Sequence, residues 1–290
     1  MQLQPNKIYF NDYDSRVSIV VSNRQNRPIT KADDPCPFCP GGLEFVDSNG
    51  CYFFKNRFPA MGNESCEVVV FSPDHNRNIF ELPPEDVEKI IRLWIERTQY
   101  FIDTKKMKYV LIFENNGAEV GATISHPHGQ IYAFNFVPQV PKTELSNAGC
   151  YFCNKADPRL IIAETQMFET YVVQAASYPF ELIIKTKEHL SSLVDLSNVQ
   201  IKDLVVSLLL SLKAIAFQFM APMPYMMWVH QGPFNNEQEL SGHLHIHICG
   251  LYRSEKTMRF IAAGELGSGV MFNPIDPYDA ADMLRTKIPK

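Results

Sequence analysis

Long hydrophobic runs are missing from this sequence, and so is any excess of positive charge. The most apolar stretch, about Leu204 to Met220, is broken by Lys213, Gln218 and several serines and is bounded by Pro222 and Pro224. It reads as a buried helix and not as a membrane span. The opening residues, Met1 to Phe10, hold no apolar core of the kind a secretory signal needs, so the expected location is cytoplasmic. The net charge is -5 and the pI is near 5.9. No broad basic surface is expected, which argues against nucleic acid as the partner, although a small anionic ligand needs only a local group of cations. Cysteine is sparse and odd in number, seven in 290 residues, which argues against a disulfide framework.

What is present is an ordinary globular composition, 46% apolar and 20% charged, in a chain long enough for one large domain or two modest ones. Four of the cysteines form two C-x-x-C pairs, Cys36/Cys39 and Cys150/Cys153. A histidine follows each pair at the same interval, 36 residues: His75 and His189. A histidine-rich motif then follows each, His126-Pro-His128-Gly-Gln130 and His243-Leu-His245-Ile-His247.

The segments between them correspond as well. Glu67–Phe71 and Glu181–Thr186 read as strands, Pro84–Phe101 and about Val199–Phe219 as helices, and Tyr109–Glu114 and Tyr225–His230 as strands. The histidine motifs fall on a last strand of each half, within Ser125–Phe136 and Gly242–Leu251. These features recur in one order, which makes coincidence a poor explanation. The expected fold is α+β, two tandem halves of antiparallel sheet with helices packed on it: residues 1–136, a linker at 137–149 marked by Pro138, Pro141 and Gly149, and residues 150–290.

Cys36, Cys39, His75 and His126 make a Cys2His2 set, the donor type of a closed structural zinc site. A redox C-x-x-C would open a helix after a strand, and Pro40-Gly41-Gly42 argues against that. On a strand, residues two apart share a face, so a metal at His126 would present His128 nearby, with Gln130 as a neutral donor beyond it. A neutral histidine is a competent nucleophile toward phosphorus. The alternative for His128 is a further metal ligand or a satisfied core histidine.

With Phe113-Glu114-Asn115-Asn116-Gly117 ahead of it, the His126–Gln130 motif resembles the active-site segment of the galactose-1-phosphate uridylyltransferase family, the transferase branch of the histidine-triad superfamily. The resemblance covers about residues 15–288. It implies two histidine-triad-like halves and a ping-pong transfer of UMP from UDP-glucose to galactose 1-phosphate through a uridylyl-histidine on His128. It also implies zinc at Cys36, Cys39, His75 and His126, with Gln130 and the hydroxyl of Thr123 at the phosphoryl oxygens. Arg24 and Arg27 would lie near the nucleotide phosphates, Phe54, Asn56 and Phe58 around the nucleoside, and Asn115 at another polar contact of the nucleotide. A homodimer is implied too.

The second half is ambiguous. The repeat register gives a second Cys2His2 zinc set, Cys150, Cys153, His189 and His243. The resemblance implies another set, Glu144, His230, His245 and His247, for zinc or iron. The two share no residue, so both sets have room to fill. That half lacks the Pro-His-Gly-Gln elements and reads as a degenerate copy.

Near the C-terminus Glu265 matches a sugar-contacting glutamate of the family and Arg259 replaces a lysine. Gly264 replaces a tyrosine, and Met271 falls where galactose-specific members have a glutamine, a loss of hydrogen bonding that weakens the case for galactose. The alternatives are a nucleotide-sugar or dinucleoside-polyphosphate phosphorylase with phosphate as acceptor, and a zinc-stapled module that binds nucleotides without turnover.

Overall fold

β-Branched and aromatic runs separated by turn residues fold here into one wide sheet. The structure is a computed structural model that describes residues 7–10, 16–21, 34–48, 50–62, 64–145, 149–235 and 242–289. β1 (Ile8–Phe10) and β2 (Val17–Ile19) form a separate antiparallel ribbon. β3 (Tyr52–Lys55), β4 (Cys66–Val70), helix α1 (Pro84–Asp103), β5 (Tyr109–Asn116) and β6 (His128–Phe134) build the first half. A short helix α2 (Gln139–Leu145) leads to β7 (Ile161–Glu164), β8 (Phe168–Val172), β9 (Phe180–Thr186), helix α3 (Asn198–Ala216), β10 (Tyr225–His230) and β11 (His245–Gly250). A small hairpin of β12 (Tyr252–Ser254) and β13 (Thr257–Met258) and helices α4 (Ala263–Ser268) and α5 (Pro277–Arg285) close the chain.

The nine strands of the sheet run in the order β3-β4-β6-β5-β10-β11-β9-β8-β7, every neighbour antiparallel. The order is symmetric about the β5–β10 pair: β4-β6-β5 on one side mirrors β9-β11-β10 on the other. That is the repeat anticipated from the sequence, joined into a single sheet at a seam running from Tyr225 opposite Asn116 to Val229 opposite Ile112.

Both long helices lie on one face. α1 starts at Pro83-Pro84 with Glu85 and Asp86 in its first turn, where acidic side chains suit the helix dipole. It buries Val87, Ile90, Ile91, Trp94, Thr98 and Phe101 at helical spacing. α3 opens with a capping box between Ser197 and Gln200 and is apolar on most sides. The two helices pack together and onto Val69, Ile112, Ile131, Val229, Ile246 and Leu182 of the sheet. Arg97 of α1 reaches Glu67 of β4 through two bonds of 2.9 and 2.7 Å under the Phe53 and Tyr100 rings. Among the described residues no helix is long and apolar enough to cross a membrane.

The alternate residues form the other face, free of the long helices. Cross-strand pairing carries it over the seam: Gln130 lies opposite Phe113, Phe113 opposite Trp228, and Trp228 opposite His247.

Two local differences from the sequence reading matter for the site. The histidine strands begin at His128 and His245, later than the periodicity indicated, because Pro127 and its surroundings leave the ladder; His126 and His243 sit just ahead of the strands. The segment read as a linker contains α2, whose Pro141 falls in the first turn where no backbone N–H donor is needed.

Glu114 faces the helix side at the seam. Its carboxyl accepts from the Tyr225 hydroxyl at 3.0 Å and from Asn116 Nδ2 at 3.3 Å. Burial pushes its pKa up to about 7 from the ordinary glutamate value of 4.5. The folded chain therefore holds this proton after the unfolded chain has released it, and stability falls as pH rises from 4.5 to about 7. Chemical denaturation across that window should show wild type losing about 3 kcal/mol relative to Glu114→Gln; parallel curves for the two proteins would contradict the assignment.

Candidate active site and metal clusters

The first knuckle is a tight turn. The amide of Cys39 donates to Cys36 O at 3.4 Å, and that of Gly42 to Cys39 O at 2.7 Å. Gly41 takes φ +82°, a conformation that suits glycine. The turn brings Cys39 Sγ within 3.3 Å of His75 Nδ1, and both thiols within 3.6 Å of His126 Nδ1. Zinc bonds of about 2.3 Å to sulfur and 2.0 Å to nitrogen place tetrahedral ligands roughly 3.5 Å apart, so the spacing fits. His126 Nε2 lies 2.8 Å from Ser72 O. A carbonyl only accepts, so Nε2 carries the proton and Nδ1 offers its lone pair to the thiols, as in a metal-binding histidine.

The second knuckle repeats this geometry. Cys150 Sγ is 3.3 Å from His243 Nδ1, and Cys153 Sγ is 3.2 Å from His189 Nδ1. His243 Nε2 lies 2.9 Å from Thr186 O.

The third group gathers Glu144 of α2, His230 of β10, and His245 and His247 of β11. Glu144 Oε2 is 2.9 Å from His230 Nδ1 and 3.7 Å from His245 Nε2. His245 Nε2 and both ring nitrogens of His247 are buried without a hydrogen-bond partner. Burial lowers the pKa of His245 well below the usual histidine value and that of His247 to about 3, so both rings are neutral with lone pairs available. Buried unpaired nitrogens around a carboxylate are costly by themselves and suit a divalent cation.

His128 opens β6. Its Nδ1 lies 2.8 Å from the His126 carbonyl and therefore donates, which leaves the lone pair on Nε2. The Phe38 ring meets the imidazole edge-on, centroids 5.1 Å apart. Behind it a side chain at Gly129 would be tight: a Cβ would stand 3.0 Å from the Phe71 ring and 3.1 Å from Phe113 O, so the neighbours would have to give by a few tenths of an ångström. Gln130 Oε1 accepts from Asn56 Nδ2 at 3.2 Å and from the Tyr132 hydroxyl at 3.1 Å. Its Nε2 hydrogens remain to meet an anionic oxygen. Asn56 is fixed in turn by the Phe58 amide, 2.8 Å from its Oδ1.

Cavities converge on His128 and Thr123. One is an aromatic slot with walls of Phe38, Phe54, Phe58 and Val68; the others are polar and share Asn115. The Thr123 hydroxyl is buried without a partner.

The structure thus gathers His128, Gln130, Thr123, Phe54, Asn56, Phe58 and Asn115. Arg24 and Arg27 lie outside the described residues. Arg259 and Glu265 do not line the His128 cavities among the described residues. They pair with each other, and Glu265 also accepts from the amides of Ala262 and Phe272, both at 2.9 Å. Arg259 and these amides hold its pKa down to about 2.

Sequence reasoning missed Phe38 and its counterpart Phe152, the third residue of each Cys-x-x-Cys. Phe152 stacks on His245 with centroids 4.0 Å apart. Lys185, opposite His245 where Val70 lies opposite His128, donates to Phe152 O at 2.8 Å and to Asn154 O at 2.7 Å. The repeat register, read residue by residue inside each pair, carried that signal.

A duplicated α+β chain with a knuckle-held histidine at the mouth of an aromatic slot has the make-up of a group-transfer enzyme built from two histidine-triad-like halves. Residues 49–138 match the N-terminal domain of galactose-1-phosphate uridyl transferase and residues 113–267 its C-terminal domain. The chain belongs to the galactose-1-phosphate uridylyltransferase family, an enzyme family. It is 31% identical to the galactose-1-phosphate uridylyltransferase of Thermotoga maritima over 92% of this chain and 94% of that one. A solved uridylyltransferase structure superposes with a TM-score of 0.87 at 25% identity, covering 97% of each chain. An ADP-glucose phosphorylase from Arabidopsis thaliana, solved with ADP-glucose, gives 0.76 at 26% identity over 97% of this chain and 98% of that one.

Each metal group should depend on its own ligands. Cys39→Ser, Cys153→Ser and His247→Ala should each lose about one equivalent of bound metal by elemental analysis of the purified protein, independently of the other two. Unchanged metal content in any of them would remove that group from the set.

Proposed function

We propose that this chain moves UMP from UDP-glucose to a hexose 1-phosphate, galactose 1-phosphate first among them, through a covalent uridylyl group on His128. The observation that carries this is the 2.8 Å bond from His128 Nδ1 to the His126 carbonyl, which leaves the lone pair on Nε2 of a residue that lines the cavities. Nε2 attacks the α-phosphorus of UDP-glucose, and the bond to the bridging oxygen breaks. Glucose 1-phosphate leaves with the electron pair. A phosphate oxygen of the acceptor then attacks the same phosphorus, the P–N bond breaks, and His128 returns neutral. Gln130 Nε2, the Thr123 hydroxyl and, in this reading, Arg24 and Arg27 steady the phosphoryl oxygens. Phe54, Asn56 and Phe58 hold the nucleoside, and Asn115 makes a further polar contact to the nucleotide.

Zinc at Cys36, Cys39, His75 and His126 would supply a rigid support for His126 and no open coordination position. Zinc at Cys150, Cys153, His189 and His243, and zinc or iron at Glu144, His230, His245 and His247, would brace the second half. Among the described residues Arg259 and Glu265 do not line the His128 cavities of their own chain; they are buried against each other beside exposed Phe260, Leu266 and Phe272. In this reading they reach the sugar of a neighbouring chain in a cytoplasmic homodimer, and the first half, 1–136, is the catalytic one.

A phosphorylase reading draws on the ADP-glucose phosphorylase similarity and on Gly264 and Met271, where sugar-reading side chains of the family are absent. Incubating the enzyme with UDP-glucose and labelled glucose 1-phosphate should give isotope exchange without any acceptor sugar, and a protein mass increased by one uridylyl group. His128→Ala should reduce the exchange by at least about 1,000-fold; exchange at the wild-type rate would sink the mechanism. Inorganic phosphate replacing galactose 1-phosphate as the efficient acceptor would favour the phosphorylase.

A further inference from the structure

The aromatic slot beside His128 carries, besides that histidine, a single pair of charged side chains among the described residues, Glu44 and Arg57. Glu44 follows the first knuckle, its amide held by Pro37 O at 3.0 Å. Arg57 stands between Asn56 and Phe58, both of which line the slot. The guanidinium and the carboxylate are 3.5 Å apart, longer than the roughly 2.8 Å of a charge-assisted hydrogen bond. Neither side chain makes a hydrogen bond to another described residue, so both keep their capacity for a ligand. Glu44 is the more buried, with 22% of its side chain exposed against 59% for Arg57.

We propose that Glu44 and Arg57 select the nucleobase, admitting bases with a keto–NH edge and rejecting bases with an amino–imine edge. The inference rests on the reading that the slot receives the nucleoside of a nucleotide on His128. Of the cavities at that histidine, this one has the most aromatic walls for a base to stack on, Phe38, Phe54 and Phe58 against Phe113 and Tyr132 in a neighbouring one.

Uracil and guanine present a ring N–H beside a carbonyl oxygen. A carboxylate accepts from the N–H and a guanidinium donates to the oxygen. Cytosine and adenine present a ring nitrogen lone pair beside an amino group. Their lone pair opposes the carboxylate, and their amino hydrogens oppose the guanidinium. Each mismatch leaves a desolvated polar group without a partner. The pair therefore favours uridine nucleotides and disfavours adenosine nucleotides, which separates this chain from an adenylyl-handling enzyme at the level of the base.

The test is calorimetric binding of UMP, CMP, GMP and AMP to the intact protein. Each keto base is compared with the amino base of the same size, so slot dimensions cancel. UMP should bind about tenfold or more tighter than CMP, and GMP likewise tighter than AMP. Glu44→Gln should bring both ratios toward one, because the amide can turn its NH2 to the ring nitrogen of cytosine or adenine. Arg57→Ala, at a largely exposed position, should weaken UMP and leave CMP unchanged. Ratios near one in the wild type, or ratios that survive Glu44→Gln, overturn the proposal. Binding needs no transfer to His128. Loss of isotope exchange with the ratios intact would therefore refute the covalent reading and leave base selection standing.

Discussion

The site hangs on three bonds made by one residue, His126. Its Nδ1 faces the knuckle thiols, its Nε2 donates to the Ser72 carbonyl, and its own carbonyl receives the Nδ1 proton of His128. The first two fix the ring, the third fixes the tautomer of His128. A histidine that must keep its Nε2 lone pair at neutral pH needs a permanent acceptor at Nδ1, and a backbone carbonyl does not titrate. His128 lies two residues beyond the anchored His126, so a ring fixed at the knuckle sets its neighbour through one intervening residue, with Pro127 restricting the backbone between them.

The second half shows the same wiring put to another use. His245 Nδ1 donates to the His243 carbonyl at 2.7 Å, as His128 does to His126. Its Nε2, however, meets Glu144, and its ring is covered by Phe152. Where the first half leaves an aromatic slot, the second has Lys185 tied to the knuckle carbonyls. The same backbone bond leaves the lone pair on Nε2 in both copies, at the cavities in one and beside Glu144 in the other. A few side chains around a conserved backbone bond separate the two outcomes.

Much of this was legible beforehand because histidine is rare here. All eight histidines of the chain fall in the two motifs, at the equivalent positions downstream of the knuckles, or at His230, so the spacing of one residue type outlined the clusters. The order of strands and helix within each half followed from the repeat; the seam that joins the halves into one sheet did not. Less was legible where tertiary contacts decide. Phe38 looks like filler inside a Cys-Pro-Phe-Cys turn until its ring is seen against His128. The 137–149 stretch reads as a loop from its prolines, yet α2 forms there and delivers Glu144. Arg259 and Glu265, placed by resemblance at the sugar, are found bonded to one another. The burial of Glu114 depends on Tyr225, distant in sequence and adjacent only across the seam.

That seam has a consequence for how such a chain divides. The halves resemble each other enough to suggest two separable modules, yet β5 and β10 are interior strands of one continuous ladder. Cutting between the copies would strip each of a neighbour and bare a row of peptide groups at the centre of the sheet, an edge that invites self-association. The two copies are interdependent in this sense: each supplies the strand that covers the other's inner edge.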